Sequence, residues 1–265
     1  MPRLDQLLVE RGLCASREQA KRLVLAGQVR TNGQTARKPS DKVRPTDDLA
    51  VAVPEKFVSR GGHKLEHALV HFHVDVTHLT AIDLGASTGG FTDCLLQHGA
   101  SRVFAVDVGQ GQLAWKLRQD PRVVVMEKTN ARYLTCDRFV EPSAANAPIP
   151  ASPAPAKVAA SPPADLVVVD CSFISLKKIL PPAVPLLKPG GRIVALIKPQ
   201  FEAGKAEADK GRGVITDAAV HERVLDELRE FVAAQAGLCW QGVVESPLLG
   251  PAGNKEFLAL IEKVR

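Results

Sequence analysis

No run of 18 or more apolar residues occurs in the 265-residue chain, so the sequence offers no membrane-spanning helix. The opening segment, residues 1–12, places a charge every few positions and lacks the apolar stretch of a secretory signal. Cysteine is sparse. Cys14, Cys94, Cys136, Cys171 and Cys239 are odd in number, far apart and contain no Cys-x-x-Cys pair. This pattern argues against a disulfide framework or a zinc module and for a reducing cytoplasm. What is present, 45% hydrophobic and 24% charged residues, is ordinary for a soluble globular protein. The length fits one large domain, alone or with a small appendage.

The charge is segregated. Residues 1–60 hold 12 of the 34 basic and 7 of the 29 acidic residues, which leaves the remainder balanced at 22 of each. A localised basic patch on an otherwise neutral chain is the footprint of a nucleic-acid-binding module. Leu4, Leu7 and Leu8 have helical spacing before Gly12. Ser16 with Gln19 reads as a capping box opening a second helix, with Ala20, Leu23 and Val24 as its apolar stripe and Gly27 at its end. Arg17 and Lys21 share a face beside that stripe. A strand at Val29 then turns at Asn32-Gly33, a strong hairpin signal, and Arg37, Lys38, Lys42 and Arg44 follow.

This pattern resembles the S4 RNA-binding domain, in which a helix pair and the following hairpin grip structured RNA. The resemblance rests on residues 3–8, 16–29 and 29–33 and implies RNA contacts from Arg3, Arg17, Lys21, Arg30, Arg37 and Lys38, with Arg60 beyond them. A helical cap that packs on the larger domain and binds nothing is the bland alternative.

From Phe57 onward the expected fold class is α/β. Apolar strands at 81–84, 103–106, 166–169, 193–197 and 257–261 are separated by helical stretches, which predicts a parallel, doubly wound sheet. Thr216 or Asp217 opens a long helix with Val220, Val224, Leu225, Leu228, Phe231 and Val232 on one side. Seven prolines and eight alanines in 141–163 read as a disordered surface insertion. The expected organisation is therefore an RNA-binding domain at 1–54, a linker at 55–60 and a second domain at 61–265.

The segment Ala81-Ile82-Asp83-Leu84-Gly85-Ala86-Ser87-Thr88-Gly89-Gly90-Phe91 is a strand running into a small-residue turn that opens a helix. It is neither a Walker loop nor a G-x-G-x-x-G turn. Asp107 lies 24 residues beyond Asp83, at the end of the next strand, where a carboxylate can accept bonds from a ribose diol. The segment resembles the cofactor loop of Rossmann-like S-adenosylmethionine-dependent methyltransferases. That resemblance implies S-adenosylmethionine as cofactor, held by Asp83, Gly85, Ala86, Ser87, Thr88, Gly89, Phe91, Asp107 and Asn130.

Four charged residues fall at element ends: Lys64, Asp170, Lys198 and Glu256. Each alone is the kind of charge that folded surfaces carry. In the order Lys–Asp–Lys–Glu they resemble the tetrad of FtsJ-like ribose 2′-O-methyltransferases. A ribose hydroxyl is a poor nucleophile, and a lysine kept neutral by burial and a neighbouring ammonium can take its proton or hold the alkoxide. Lys198 is the expected base and Lys64 its neighbour, with Asp170 and Glu256 orienting both. Base N-methylation would want Asn/Asp-Pro-Pro-Tyr/Phe where this chain has Asp170-Cys171-Ser172-Phe173, and Cys171 lacks the context of a cytosine-C5 nucleophile. His63, His67 and His71 lie opposite an apolar stripe and read as solvent-facing, so no metal is expected.

Residues 59–65, 170–176 and 198–202, behind an S4-like module, identify the chain as resembling the TlyA family, known both as haemolysins and as rRNA methyltransferases. The resemblance implies cytoplasmic 2′-O-methylation of cytidine in 16S rRNA, 23S rRNA or both, with rRNA or ribosomal subunits as partners. A membrane-active haemolysin and a non-catalytic ribosome-assembly factor remain as alternatives.

Overall fold

A computed structural model describes all residues except 53–54, 140–163, 205–206, 208, 210 and 265. The Pro/Ala segment read at 141–163 lies outside the described residues. The chain divides into two units, Met1–Lys56 and Phe57–Arg265. The linker expected at 55–60 needs correction at its second half. Phe57 is 2% exposed in the core of the larger unit, and the Val58 N–H donates to the buried Asp93 carboxylate at 2.8 Å. An aromatic ring driven out of water ties that stretch to the larger unit.

In the smaller unit, α1 (Leu4–Glu10) and α2 (Arg17–Leu25) pack beside a three-stranded antiparallel sheet of order β2-β1-β3. The strands are β1 (Val29–Thr31), β2 (Gln34–Thr35) and β3 (Leu49–Val51). Ser16 caps α2 by accepting the Gln19 N–H at 3.2 Å, and the Gln19 side chain accepts the Ala15 N–H at 2.8 Å. Asn32 and Gly33 both have positive φ, 50° and 79°, as a two-residue type I′ hairpin requires. Leu4, Leu8, Ala20, Val24 and Val29 are at most 1% exposed and form the core. The β3 strand, with three residues and one buried side chain, carries no periodicity that sequence reading could use.

The larger unit is built on a seven-stranded sheet of order β6-β5-β4-β7-β8-β10-β9. Its strands are β4 (Thr80–Leu84), β5 (Arg102–Val106), β6 (Val123–Met126), β7 (Ala164–Val169), β8 (Leu187–Ile197), β9 (Leu238–Glu245) and β10 (Phe257–Lys263). Strands β4 to β8 are parallel, whereas β10 runs antiparallel to both β8 and β9. The sheet is therefore mostly parallel rather than wholly so. No helix intervenes between β9 and β10 to carry the chain back, so the two strands must pair antiparallel. A dinucleotide-binding sheet ends in its sixth strand; here the last strand is wedged inside the sixth, which separates this fold from the nicotinamide type.

Helices cover both faces, and hydrophobic clusters lie on each side of the sheet. One layer holds α3 (Gly61–His71) and α4 (Gly90–Gln97); the other holds α8 (Ala218–Ala233), capped by Asp217 accepting the Ala219 N–H at 2.9 Å. Short helices α5 (Trp115–Arg118), α6 (Leu180–Ala183) and α7 (Pro199–Glu202) complete the unit. The predicted apolar side of α8 buries Val224, Leu228 and Val232, and it also buries His221, whose ring nitrogen lies 3.0 Å from the Ile215 carbonyl oxygen. At the start of α3, a Cβ on Gly62 would lie 2.2 Å from the Phe57 ring. Gly62→Ala is expected to destabilise the protein by about 1–3 kcal/mol through overpacking, read as a lower midpoint in urea with an unchanged slope.

Candidate active site

The strand order reverses between β4 and β7, and in open α/β sheets ligands bind beyond the carboxyl ends of the strands at such a point. The loops that leave β4, β5, β7 and β8 here carry Gly85–Thr88, Asp107, Asp170 and Lys198. Two adjoining cavities open among them. One, of about 310 Å³, is lined by Lys64, Asp170, Lys198 and Glu256 together with Phe91 and the loop residues Gly85 to Thr88. The other, of about 500 Å³, is lined by Asp107, Asn130 and the apolar Val106, Val108, Ala131 and Ile179. Gly85, Ser87, Asp170 and Ser172 line both.

The loop after β4 is fixed by backbone bonds: Gly85 N–H to the Val106 carbonyl at 2.9 Å and Gly89 N–H to the Ala86 carbonyl at 2.7 Å. Ser87 sits at φ 48°, a conformation costly for a side chain with Cβ. Its N–H is held by Asp107 Oδ2 at 2.9 Å, while Asp107 Oδ1 accepts the Gly109 N–H at 2.7 Å. Each carboxylate oxygen thus spends one lone pair on backbone and retains acceptor capacity. Asn130 accepts the Arg132 N–H at 3.0 Å and stands on the wall of the larger cavity.

Two expected cofactor residues lie off the cavity walls. Asp83 is fully buried on the α4 side of the sheet, where it accepts the Thr92 N–H at 3.0 Å and the Thr92 hydroxyl at 2.7 Å. Burial pushes its carboxyl up to about 7, and its Oδ1 has no protein partner. Gly89 starts α4 in the left-handed region, and a Cβ there would strike Leu117 and Leu113 rather than a ligand. Gly90 takes the wall position instead, backed by Ser59 at a distance that leaves no room for Cβ. Ser59, Gly61, Ser172 and Pro251 also line the smaller cavity; the first three lie in the stretches that carry the family resemblance, where sequence reading assigned them no contact of their own.

The four charged residues come together from α3, β7, β8 and β10. Lys64 and Glu256 form an ion pair with side chains 7% and 1% exposed. Lys198 pairs with Asp170 at 2.6 Å and donates to Ser172 Oγ at 2.8 Å, its side chain 10% exposed. The expected grouping thus resolves into two lysine–carboxylate pairs on one cavity wall. Cys171 donates to the Leu84 carbonyl and its thiol is pushed up to about 12, chiefly by burial, which suits packing rather than nucleophilic attack.

The basic residues of the smaller unit divide into two sets. Arg3 and Arg17 converge on Asp5, a fully buried carboxylate: Arg3 Nε and Nη2 donate to it at 3.0 and 3.1 Å and Arg17 Nη2 at 3.3 Å. The Arg3 bonds hold the Asp5 carboxyl below its ordinary range. Arg30, Arg37 and Lys38 are exposed, Lys21 pairs with Glu18 at 2.8 Å, and Arg37 and Lys42 border a broad groove beside Asn32 and Gln34. Arg60 lies in the larger unit, on the wall of the smaller cavity, bonded to the Leu249 carbonyl at 3.3 Å. His63 and His67 are half-buried, against the solvent-facing expectation, and only His71 of the three is exposed; the His63 ring meets Phe57 edge-on at 5.0 Å. Among the described residues no group of three His, Cys, Asp or Glu is arranged to hold a metal.

Comparison with known proteins agrees with this geometry. The FtsJ-like methyltransferase family matches residues 57–263 and the S4 domain matches residues 2–49. The 16S/23S rRNA (cytidine-2′-O)-methyltransferase TlyA of Mycobacterium tuberculosis is 46% identical, over 96% of this chain and 87% of its own. Hemolysin A of Brachyspira hyodysenteriae is 39% identical over 97% and 98%. The solved structure of a candidate hemolysin from Streptococcus thermophilus is 43% identical, covers 99% of this chain and 88% of that one, and superposes with a TM-score of 0.70. With a family match over more than half its length and a relative 46% identical over nearly all of it, the chain belongs to the FtsJ-like methyltransferases, in the TlyA branch that carries an S4 domain ahead of the methyltransferase domain.

Proposed function

We propose that the chain is an S-adenosylmethionine-dependent methyltransferase that modifies the 2′-hydroxyl of cytidine in 16S rRNA, 23S rRNA or both. The observation that carries this reading is the pair of cavities sharing Gly85, Ser87, Asp170 and Ser172, one apolar with an acidic rim and one lined by the two lysine–carboxylate pairs. The residues present fit the cofactor. Asp107 keeps free acceptor capacity for ribose hydroxyls, and Val106, Val108, Ala131 and Ile179 form apolar walls for a flat base. When bound, S-adenosylmethionine supplies a methyl group made electrophilic by its sulfonium.

The chain's own part is to present a hydroxyl to that methyl and carry its proton away. Lys198 Nζ has three N–H donors, of which Asp170 and Ser172 engage two. The third is available to the attacking oxygen, where an ammonium lowers the energy of the developing alkoxide. As an ammonium Lys198 has no lone pair, so the hydroxyl proton passes to the Asp170 carboxylate beside it. Lys64 and Glu256 form the second ion pair lining the same cavity, beside the place proposed for the substrate. Phe173 is 90% exposed, at φ 62°, beside the larger cavity. It is a stacking platform for the target base.

The smaller unit is the RNA-docking module, and a ribosomal substrate goes with a cytoplasmic protein. Phosphate contacts release counterions, so replacing both Arg37 and Lys38 by alanine is expected to weaken rRNA binding at every sequence. It should also reduce the slope of log K against log salt by about one per lost contact. Titrations at several salt concentrations read that slope directly.

The reading as a whole is tested by transfer of labelled methyl from S-adenosylmethionine to purified small and large subunits, with products mapped by resistance to alkaline cleavage. Label at a resistant linkage supports it and names the subunit. Label at an alkali-sensitive linkage, or none with cofactor bound, rejects it, the second outcome in favour of an assembly factor. The membrane-active alternative would call on an amphipathic or spanning segment, and among the described residues no helix is long and apolar enough to cross a membrane.

A further inference from the structure

Two loops carry the residues that face the reacting groups. One follows β7 and runs from Asp170 to the single 3-10 turn Leu176–Lys178; the other follows β8 and comprises Lys198 and α7. Lys198 grips the first loop near its start, through Ser172 Oγ at 2.8 Å. Four residues on, Glu202 grips it again: Oε2 accepts the Ser175 hydroxyl at 2.6 Å and Oε1 the Leu176 N–H at 2.7 Å. Ser175 Oγ in turn accepts the Lys177 N–H at 3.1 Å and caps the 3-10 turn. Between the two grips lie Phe173 and Ile174, which line the larger cavity. The Phe173 ring rests on Phe201 at 5.1 Å, and its backbone is held in the left-handed region, which an unbranched aromatic does not adopt unaided.

We infer that Glu202 is a positioning residue: it fixes the 172–176 loop so that Phe173 is presented to the RNA base and Ser172 to Lys198. This rests on the methyltransferase reading above and adds to it a residue outside the charged quartet. Its two acceptor bonds end on Ser175 and Leu176, three and four residues from Ser172, and neither reaches the loop after β4. Phe173 and Ile174 also border the larger cavity, so loss of Glu202 is expected to lower RNA turnover more than cofactor affinity. A general weakening of the fold would lower both alike.

The test is a double-mutant cycle in the full chain, assayed on the ribosomal subunit that the wild type methylates. Glu202→Ala is expected to lower kcat/KM for that subunit by about tenfold to a hundredfold, with a clearly smaller loss of S-adenosylhomocysteine affinity. Glu202→Gln, which keeps a carbonyl acceptor, should recover most of the loss. Because Glu202 acts through Phe173, Glu202→Ala in a Phe173→Ala background should add less than about threefold. Ser175→Ala, which leaves the Leu176 bond in place, gives the smaller version of the effect should the alanine variant at 202 fail to fold. Activity within twofold of wild type for both Glu202→Ala and Ser175→Ala overturns the inference. So does a loss that multiplies in full with that of Phe173→Ala, or one matched by an equal loss of cofactor affinity. If the wild type transfers no methyl to either subunit, it is the functional reading that fails, and this inference falls with it.

Discussion

Lys198→Ala is expected to lower kcat for methyl transfer by about a thousandfold, within the range of one positioned acid–base or oxyanion-stabilising group. Cofactor affinity should change little. The reason for the split is electrostatic: Lys198 sits between Asp170 and Ser172 on the wall facing the substrate. The groups proposed to hold the cofactor, Asp107 and the Gly85–Thr88 loop, are fixed by backbone bonds that do not involve it. Removing an ammonium also does nothing to weaken an acidic rim against a cationic sulfonium. Lys198→Arg should fail to restore the rate, since a planar guanidinium cannot place one donor at the point where Nζ stands. Single-turnover methyl transfer with saturating cofactor, alongside calorimetric titration of S-adenosylhomocysteine, separates the two quantities. A kcat within tenfold of wild type would remove Lys198 from the chemistry.

What could be foreseen of this site depended on the size and charge of each residue. Asp170 and Lys198 were legible because strand ends in an α/β sheet are where polar side chains act, and the apolar runs at 166–169 and 193–197 located those ends. Asp107 was legible for the same reason. Lys64 in α3 and Glu256 ahead of β10 were singled out instead through the order of the family's charged residues. Asp83 was misread as a wall residue because strand alternation decides its face, and nothing in Ile82-Asp83-Leu84 tells which face meets α4 when both are buried. Gly89 and Gly90 exchanged roles because adjacent glycines are equivalent in sequence. Only Leu113 and Leu117, more than twenty residues away, show which of the two faces a helix. The β9 strand, with its half-exposed edge pattern, and the antiparallel insertion of β10 needed the pairing itself. Glu202 and Ser175 lie in the stretches 170–176 and 198–202 that carry the family resemblance, but only the meeting of the two loops gives them a partner and a role.

Glu256→Ala should be the most destabilising single change at the site. Lys64 and Glu256 are almost fully withdrawn from water and joined as an ion pair, and removing one partner leaves the other charge buried without compensation, at a cost of about 3–5 kcal/mol. Against a total stability of about 5–15 kcal/mol, and at about 2–4 °C per kcal/mol for a unit of this size, that predicts a melting temperature lower by about 10 °C. Replacing both residues by apolar side chains of similar size, Lys64→Met with Glu256→Leu, should return most of the stability, because the desolvation of the two charges disappears with them. Methyl transfer should not return. A pair kept for stability would be dispensable once its volume is filled. A pair kept for chemistry would not, because its charges line the cavity proposed for the substrate. Thermal unfolding and turnover measured on the same double variant therefore decide between the two roles. Recovery of both would make the pair a structural strut, whereas stability regained without activity would place Lys64 and Glu256 among the groups that handle the substrate.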